Sequence, residues 1–195
     1  MVEKKKLLCI AGESGRGKDT VGKMLKKRGY KDVCSFATRP MRETETQNVE
    51  HHFVSEAEAN RVLKEHSQEV LAYTEIGDVK YFALTHDIVD ADFYIIDPKG
   101  IEYLKSAYGY ALDLFVCYVT CNKDLAWSRI NHDERGDSKE EFDNRCKKES
   151  VQFQSFSKLK QYDHIIINSG SLTDLEEKVE ELLLIFNSVS TGSEV

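Results

Sequence analysis

The strongest chemical signal in the sequence is a glycine-rich stretch, Gly12-Glu13-Ser14-Gly15-Arg16-Gly17-Lys18-Asp19-Thr20. It follows a short apolar run at 7–11 and precedes a segment of helical periodicity that reaches about residue 27. Glycines let consecutive backbone N–H groups turn inward around phosphate oxygens, and a helix N-terminus adds its positive end. We therefore predict an ATP phosphate site at which Lys18 bridges the β- and γ-phosphates. Its members are Gly12, Ser14, Gly15, Arg16, Gly17, Lys18, Asp19 and Thr20.

The residue after the lysine departs from the strict phosphate-loop pattern. Asp19 stands where Ser or Thr is expected, and Thr20 follows one place later, so the variant G-x-x-G-x-G-K-x-T is met in full. As an acidic residue in a first helical turn, Asp19 is favoured by the helix dipole. Alternatively, Asp19 holds Mg²⁺ through water together with Thr20. That alternative depends on the metal, because a carboxylate beside a triphosphate needs a cation between them.

A second candidate phosphate site follows at Ser35-Phe36-Ala37-Thr38-Arg39-Pro40-Met41-Arg42. Arg39 and Arg42 are three residues apart and close to Ser35, so their guanidinium groups can present forked donors to a phosphate. Solvated surface arginines are the other interpretation, and these residues alone do not decide between the two.

With the residues that follow, this segment resembles the guanylate kinase family. That family carries S-x-x-T-R-P-x-R and then a D-Y-H-F-V-S-like segment after its phosphate loop; the second is Glu50-His51-His52-Phe53-Val54-Ser55 here. The stretch 125–130, Arg135-Gly136 and Arg145 resemble the family's lid, and 162–168 resembles its D-x-x-I-x-N segment. The resemblance covers nearly the whole chain. It implies a kinase that uses ATP and Mg²⁺ and phosphorylates a nucleoside monophosphate.

The resemblance also implies roles for individual residues. Ser35, Arg39, Arg42 and Tyr81 would hold the acceptor's phosphate, with His51 at the position of a family tyrosine. Arg129, Arg135 and Arg145 would join Lys18 as catalytic groups over the transferring phosphoryl group, although the lid is about two residues longer between Arg129 and Arg135. Asn168 would line the ATP base site. Asp97 ends an apolar strand and would contact the acceptor or Mg²⁺, or else cap the helix that follows at Pro98.

Departures from the family pattern fall where the acceptor's base is recognised. Ala72 occupies the position of a glutamate that accepts hydrogen bonds from guanine, and the family's Y-G-T/S is Tyr81-Phe82-Ala83 here. A shift of strand register would let Glu75 compensate. The phosphate machinery is therefore expected to be complete, whereas the guanine-reading groups are not.

Three functions remain open at this point. The first is a guanylate-kinase-like nucleoside monophosphate kinase acting on GMP, dGMP or another nucleotide. The second is a sugar-phosphate kinase similar to the ribose 1,5-bisphosphate phosphokinases, which also show G-K-D-[ST] and lack the guanine pocket. The third is an inactive guanylate-kinase-like protein-interaction module. Such modules degrade their phosphate loop, whereas Lys18, Thr20 and the loop glycines are intact here.

The elements that must position these residues alternate between strands and helices. Buried strands are predicted at 7–11, 93–96, 114–120 and 164–167, and helices at 17–27, 98–107, 123–131, 139–155 and 172–187. Such alternation predicts an α/β fold of the P-loop type, with a parallel sheet between two layers of helices. We expect one compact unit with a core made of 1–34, 84–123 and 160–187, an acceptor insertion at 35–83, a lid segment together with the helix that follows it at 124–159, and a disordered tail at 188–195.

Composition limits the function classes. The chain has 195 residues and a net charge of −7, which argues against binding nucleic acid through bulk electrostatics. Five cysteines without a C-x-x-C pair favour reduced thiols in the cytoplasm. Neither a signal peptide nor an apolar run of about 20 residues is visible, so we expect no membrane partner. A monomer or a homodimer is expected.

Overall fold

The computed structural model describes residues 4–43, 45–76, 78–132 and 138–189. In chain order its elements are β1 (Lys5–Ala11), α1 (Lys18–Lys27), β2 (Phe36–Ala37), β3 (His52–Phe53), α2 (Glu56–Glu65), β4 (Val70–Ile76), β5 (Val79–Leu84), α3 (Thr85–Ile88), β6 (Phe93–Ile95), α4 (Pro98–Tyr108), β7 (Leu112–Thr120), α5 (Lys123–His132), α6 (Lys139–Lys158), β8 (His164–Ile167) and α7 (Leu172–Ser188). The five core helices predicted from sequence are all present, each within about three residues of its predicted ends.

The central sheet is parallel and has the strand order β6-β1-β7-β8. Both of its faces are covered, which explains why residues 7–11 of β1 form an unbroken apolar run. Leu7 and Cys9 pack into one buried cluster together with side chains of α4 and α6. Leu8 and Ile10 point to the opposite face, into a cluster with α1 and α7. The predicted α/β fold is confirmed.

A second sheet, with order β3-β2-β5-β4, is formed by residues of the stretch expected to be an insertion. β4 and β5 pair antiparallel, and β2 joins β5 to the short strand β3. The outer face of this sheet packs Phe82 and Leu84 against Ala59 of α2. Ser55 caps α2, because its hydroxyl accepts a hydrogen bond from the Glu58 amide at 3.2 Å.

Helices α5 and α6 form a third buried cluster beside the carboxyl end of the central sheet. Ala126 and Ile130 of α5 pack there against Phe142 of α6 and Cys121. Further along α6, Phe153 and Phe156 belong to the main core. The first part of α6 thus packs against α5, and its last part packs into the main core. Within the described residues, no helix has the length and apolarity needed to cross a bilayer.

Candidate functional site

One large cleft of about 1550 Å³ lies between the central sheet, the second sheet and the lid segment. A volume of this size is enough for two nucleotide-sized ligands. Within the described ranges, every residue predicted for the site lines it except Arg16. These lining residues are Gly12, Ser14, Gly15, Gly17, Lys18, Asp19, Thr20, Ser35, Arg39, Arg42, His51, Tyr81, Asp97, Arg129, Arg145 and Asn168. Arg135 lies outside the described residues, so its role stays a prediction.

The phosphate loop connects β1 to α1 and needs glycine at specific positions. Gly15 and Gly17 have φ values of 76° and 98°, a region that side-chain-bearing residues rarely adopt. A Cβ atom on Gly17 would also overlap the side-chain amide of Asn168, and one on Gly12 would overlap the Val119 carbonyl oxygen. The loop is therefore packed against the ends of β7 and β8 with no space for side chains at these two positions.

Side-chain hydrogen bonds and one ion pair fix the conformation of the loop. The Asn168 side-chain amide donates a hydrogen bond to the Arg16 carbonyl at 3.0 Å. The Arg16 side chain is buried and donates to the Cys121 carbonyl, with its Nε 3.7 Å from a Glu13 carboxylate oxygen. Arg16 does not line the cleft, because its guanidinium contacts Cys121 and Glu13 and its amide donates to the Glu13 carbonyl at 3.2 Å. The Lys18 ammonium lies in the cleft and donates to the Glu13 carbonyl at 3.3 Å.

Helix α6 contacts the loop through a glutamate that sequence reasoning missed. One carboxylate oxygen of Glu149 accepts a hydrogen bond from the Ser14 amide at 2.8 Å, and the other accepts one from the Ser14 hydroxyl at 2.6 Å. Glu149 is a member of α6 and is buried. In the sequence, Glu149 could have been noticed because it falls on the same helical face as the buried phenylalanines of α6.

The predicted acceptor-phosphate arginines are organised by a second carboxylate that was missed. Arg39 donates to both oxygens of Glu45 at 2.6 Å, and its guanidinium carbon lies 5.1 Å from the centre of the Phe53 ring. The Arg42 amide and guanidinium also donate to Glu45, at 2.9 and 3.3 Å. Burial alone would raise the pKa of the Glu45 carboxyl, but the hydrogen bonds from Arg39 and Arg42 lower it to about 2. Glu45 is thus an ionised anchor that orients both arginines.

His51 belongs to the same acceptor site. Its Nδ1 lies 3.0 Å from the Ser35 hydroxyl, and its ring packs edge-on to Tyr81 with 5.9 Å between ring centres. Burial, followed by the nearby charge of Arg39, lowers the pKa of His51 to about 4. His51 is therefore neutral at pH 7, and the positive charge of the site comes from the arginines.

Strand β4 borders the part of the cleft predicted to hold the acceptor's base, and it carries alanine at position 72. Ala72 and Thr74 of β4 line the cleft, and Ala72 pairs across the hairpin with Ala83. Glu75 is exposed on the opposite face of the strand and accepts a hydrogen bond from the Tyr73 hydroxyl. The compensation by Glu75 that the sequence left open is therefore wrong, because strand alternation turns its side chain away from the cleft.

Asp97 caps a helix, which is one of the interpretations considered for it. One of its carboxylate oxygens accepts from the Gly100 amide at 2.7 Å at the start of α4, and the other accepts from the Thr74 hydroxyl at 2.8 Å. The residue still lines the cleft. Its contact with an acceptor or Mg²⁺ stays a prediction, with Thr74 as a hydroxyl partner that the sequence did not reveal.

The two described lid arginines occupy different positions. Arg129 donates to the carbonyl oxygens of Asn168 and Gly170 at 2.8 and 3.1 Å, so in this structure it ties α5 to the β8–α7 connection. Arg145 lies on the part of α6 that lines the cleft. Closure of both over a transferring phosphoryl group stays a prediction.

The oxygen groups near Lys18 suit Mg²⁺ bound together with ATP. Mg²⁺ usually takes one or two protein oxygen ligands and completes its shell with phosphates and water. Asp19 and Thr20 both line the cleft in the first turn of α1, which provides such a pair. No cluster of three or more metal-binding side chains occurs among the residues that the structure describes. Asp97 fits less well, because both of its oxygens accept hydrogen bonds from the protein.

Comparisons with known proteins agree with this architecture. A family model described as guanylate kinase matches residues 4–188. A guanylate kinase of Neisseria gonorrhoeae is 30% identical, over 93% of this chain and 87% of the relative. One of Prochlorococcus marinus is 27% identical, over 94% of this chain and 98% of the relative. The crystal structure of guanylate kinase from Anaplasma phagocytophilum superposes with a TM-score of 0.71 at 16% identity, covering 98% of this chain and 89% of that one. The chain belongs to the guanylate kinase family of nucleotide kinases.

Proposed function

We propose that this protein transfers the γ-phosphoryl group of ATP to a nucleoside monophosphate and that its base preference differs from that of a strict guanylate kinase. The observation that carries the proposal is the meeting of two cationic sites in one cleft. Lys18 and the loop amides form the first site, and Arg39 and Arg42, held by Glu45, form the second. Two phosphorylated ligands that meet end to end repel each other, and this cleft supplies the compensating charge.

The residues of the cleft act by positioning and charge neutralisation, which is what phosphoryl transfer requires of a protein. The loop amides and Lys18 would hold the ATP phosphates, while Ser35, Arg39 and Arg42 would aim the acceptor phosphate at them. Mg²⁺, bound with ATP beside Asp19 and Thr20, would supply further neutralisation of the β- and γ-phosphate oxygens. Closure of the lid segment would exclude water that otherwise hydrolyses ATP.

The altered base preference rests on Ala72 and Ala83. A site built to hydrogen-bond a base rejects others by factors of about 10⁴–10⁵, and that discrimination disappears when the polar groups are absent. The apolar Ala72 lines the cleft at the position where the family resemblance implies a glutamate. We therefore expect the kcat/KM values for different nucleotides to be much closer together than in a site that reads guanine.

The test is a panel of acceptors with ATP and Mg²⁺. GMP, dGMP, AMP, UMP and dTMP are compared by the rate of ADP formation, and the phosphorylated product is identified. We expect nucleoside diphosphate from at least one of them, with a preference for GMP well below 10⁴-fold. Turnover of ribose 1,5-bisphosphate alone would assign a sugar-phosphate kinase instead. A protein that fails to bind ATP in a thermal-shift assay would be an interaction module, because a ligand of the native state must raise apparent stability.

A further inference from the structure

The inner face of α6 is interrupted by a buried carboxylate. The buried residues of this helix are Phe142, Glu149, Phe153 and Phe156, whose spacings of seven, four and three residues place them on one face. Burying a carboxylate costs free energy unless it is paired or hydrogen-bonded. An apolar residue at position 149 would complete the stripe, so packing alone does not explain the glutamate.

The partner of Glu149 is the phosphate loop. Both carboxylate oxygens accept hydrogen bonds from Ser14, one from the backbone amide at 2.8 Å and one from the hydroxyl at 2.6 Å. Hydrogen bonds to an ionised acceptor are about twice as strong as neutral ones. This contact therefore fixes α6 to the loop across 135 residues of sequence.

Glu149 lies between the part of α6 that packs against α5 and the part that packs into the main core. On one side of it, Phe142 packs with α5 in the cluster of the lid segment. On the other side, Phe153 and Phe156 pack into the main core. Arg145 lies one helical turn before Glu149, on the part of α6 nearer to α5, and also lines the cleft. The point at which α6 is tied to the loop therefore determines where Arg145 lies relative to a bound phosphate.

We propose that Glu149 is a positioning residue that couples the phosphate loop, through Ser14, to α6 and to the helix α5 that packs on it. The coupling places Arg145 for phosphoryl transfer and transmits filling of the loop to α5 and α6. The part that concerns turnover rests on the proposed kinase function, whereas the part that concerns ATP binding does not. Glu149 itself need not touch either substrate.

The chain has its own reporter for this coupling. Trp127, the single tryptophan of the sequence, lies on α5 with its ring centre 5.4 Å from that of Phe142. Its fluorescence is recorded while ATP–Mg²⁺ is titrated into wild-type protein, Glu149→Gln and the matched control Glu140→Gln. Glu140 is exposed on the same helix. We expect a saturable change in the wild-type and in Glu140→Gln, and a change at most half as large in Glu149→Gln at similar ATP affinity.

Turnover provides a second readout. With the best acceptor of the panel, Glu149→Gln should lower kcat by about 10- to 100-fold, the loss expected from a misplacement of about 1 Å, while the KM for ATP changes less than about threefold. Ser14→Ala keeps the amide contact and should lose less, and the double variant should lose less than the product of the two single losses. Circular dichroism checks that each variant is folded.

Several results would overturn the coupling. The first is a Glu149→Gln variant with the wild-type fluorescence response and the wild-type kcat. The second is a Glu149→Gln variant that loses kcat and ATP affinity to the same extent. The third is a Trp127 fluorescence signal of the wild-type protein that ATP does not change. If no acceptor is turned over by the wild-type protein, the proposed function fails, while the Trp127 titration still decides about Glu149.

Discussion

Replacing Glu45 by glutamine tests how the acceptor arginines are held. In the folded protein the carboxyl pKa is about 2, against an ordinary value of 4.5. The difference corresponds to about 3 kcal/mol of interaction that favours the ionised form, as an upper limit. Because the folded pKa is lowered, this stability is present above pH 4.5 and is lost as the pH falls towards 2. Glu45→Gln should therefore lower the free energy of unfolding at pH 7 by about 1–3 kcal/mol, and the deficit should shrink towards pH 2.

Urea unfolding at pH 7, 5 and 3 measures this effect. Glu56→Gln is the matched control, since Glu56 at the start of α2 is largely exposed and pairs with Lys80 of β5 at 3.1 Å. An exposed pair of that kind is worth about 0–1 kcal/mol. Glu45→Gln should also raise the acceptor's KM, because Arg39 and Arg42 lose their common anchor. Equal losses of stability in the two variants at pH 7, or a Glu45→Gln deficit that is constant with pH, would refute the reasoning.

Three further predictions concern the loop and the buried ionisable groups. Gly17→Ala combines a φ that non-glycine residues rarely adopt with overlap on Asn168, so the loop should be distorted. ATP–Mg²⁺ should therefore raise the melting temperature of this variant much less than that of the wild-type. An equal rise in melting temperature would contradict the packing of the loop. Burial raises the pKa of Asp32 to about 7 although Lys26 lies 3.3 Å away, so this carboxyl should remove up to about 4 kcal/mol of stability as the pH rises from about 4 to 7. In urea titrations Asp32→Asn should therefore gain stability relative to the wild-type over this range, and a difference that stays constant with pH would contradict the reasoning. The lowered pKa of His51, about 4, means that the stability contributed by its neutral imidazole should be lost as the pH drops from 6.5 to 4. The free energy of unfolding of the wild-type minus that of His51→Gln should therefore decrease over this range, and a difference that does not change with pH would argue against a buried neutral imidazole.

Much of the fold can be predicted from the sequence because the relevant signals are local. The run at 7–11 is apolar at every position, which indicates a strand covered on both faces, and alternation with helices makes the sheet parallel. Strand alternation also decides the question of Glu75. Residues 72 and 74 share one face of β4, so residue 75 must point to the other.

The two missed carboxylates show where such reasoning ends. Helical periodicity indicates that Glu149 lies on the inner face of α6, but it gives no information on which distant segment that face meets. Its partner Ser14 is 135 residues away, and only the tertiary packing of α6 against the loop brings them together. Glu45 lies in an irregular segment, where no repeat fixes the direction of a side chain. Its bidentate contact with Arg39 depends on loop geometry that the sequence pattern does not specify.

The rate of ADP formation by Lys18→Met, with ATP–Mg²⁺ and the best nucleotide acceptor, tests the proposed chemistry most directly. Lys27→Met is the control, because Lys27 is exposed in the last turn of the same helix. If the ammonium group of Lys18 neutralises charge on the transferring phosphoryl group, its loss should lower kcat by about 10²–10³, whereas the control keeps the wild-type rate. Wild-type turnover by Lys18→Met would contradict the assignment of the loop as the site of phosphoryl transfer.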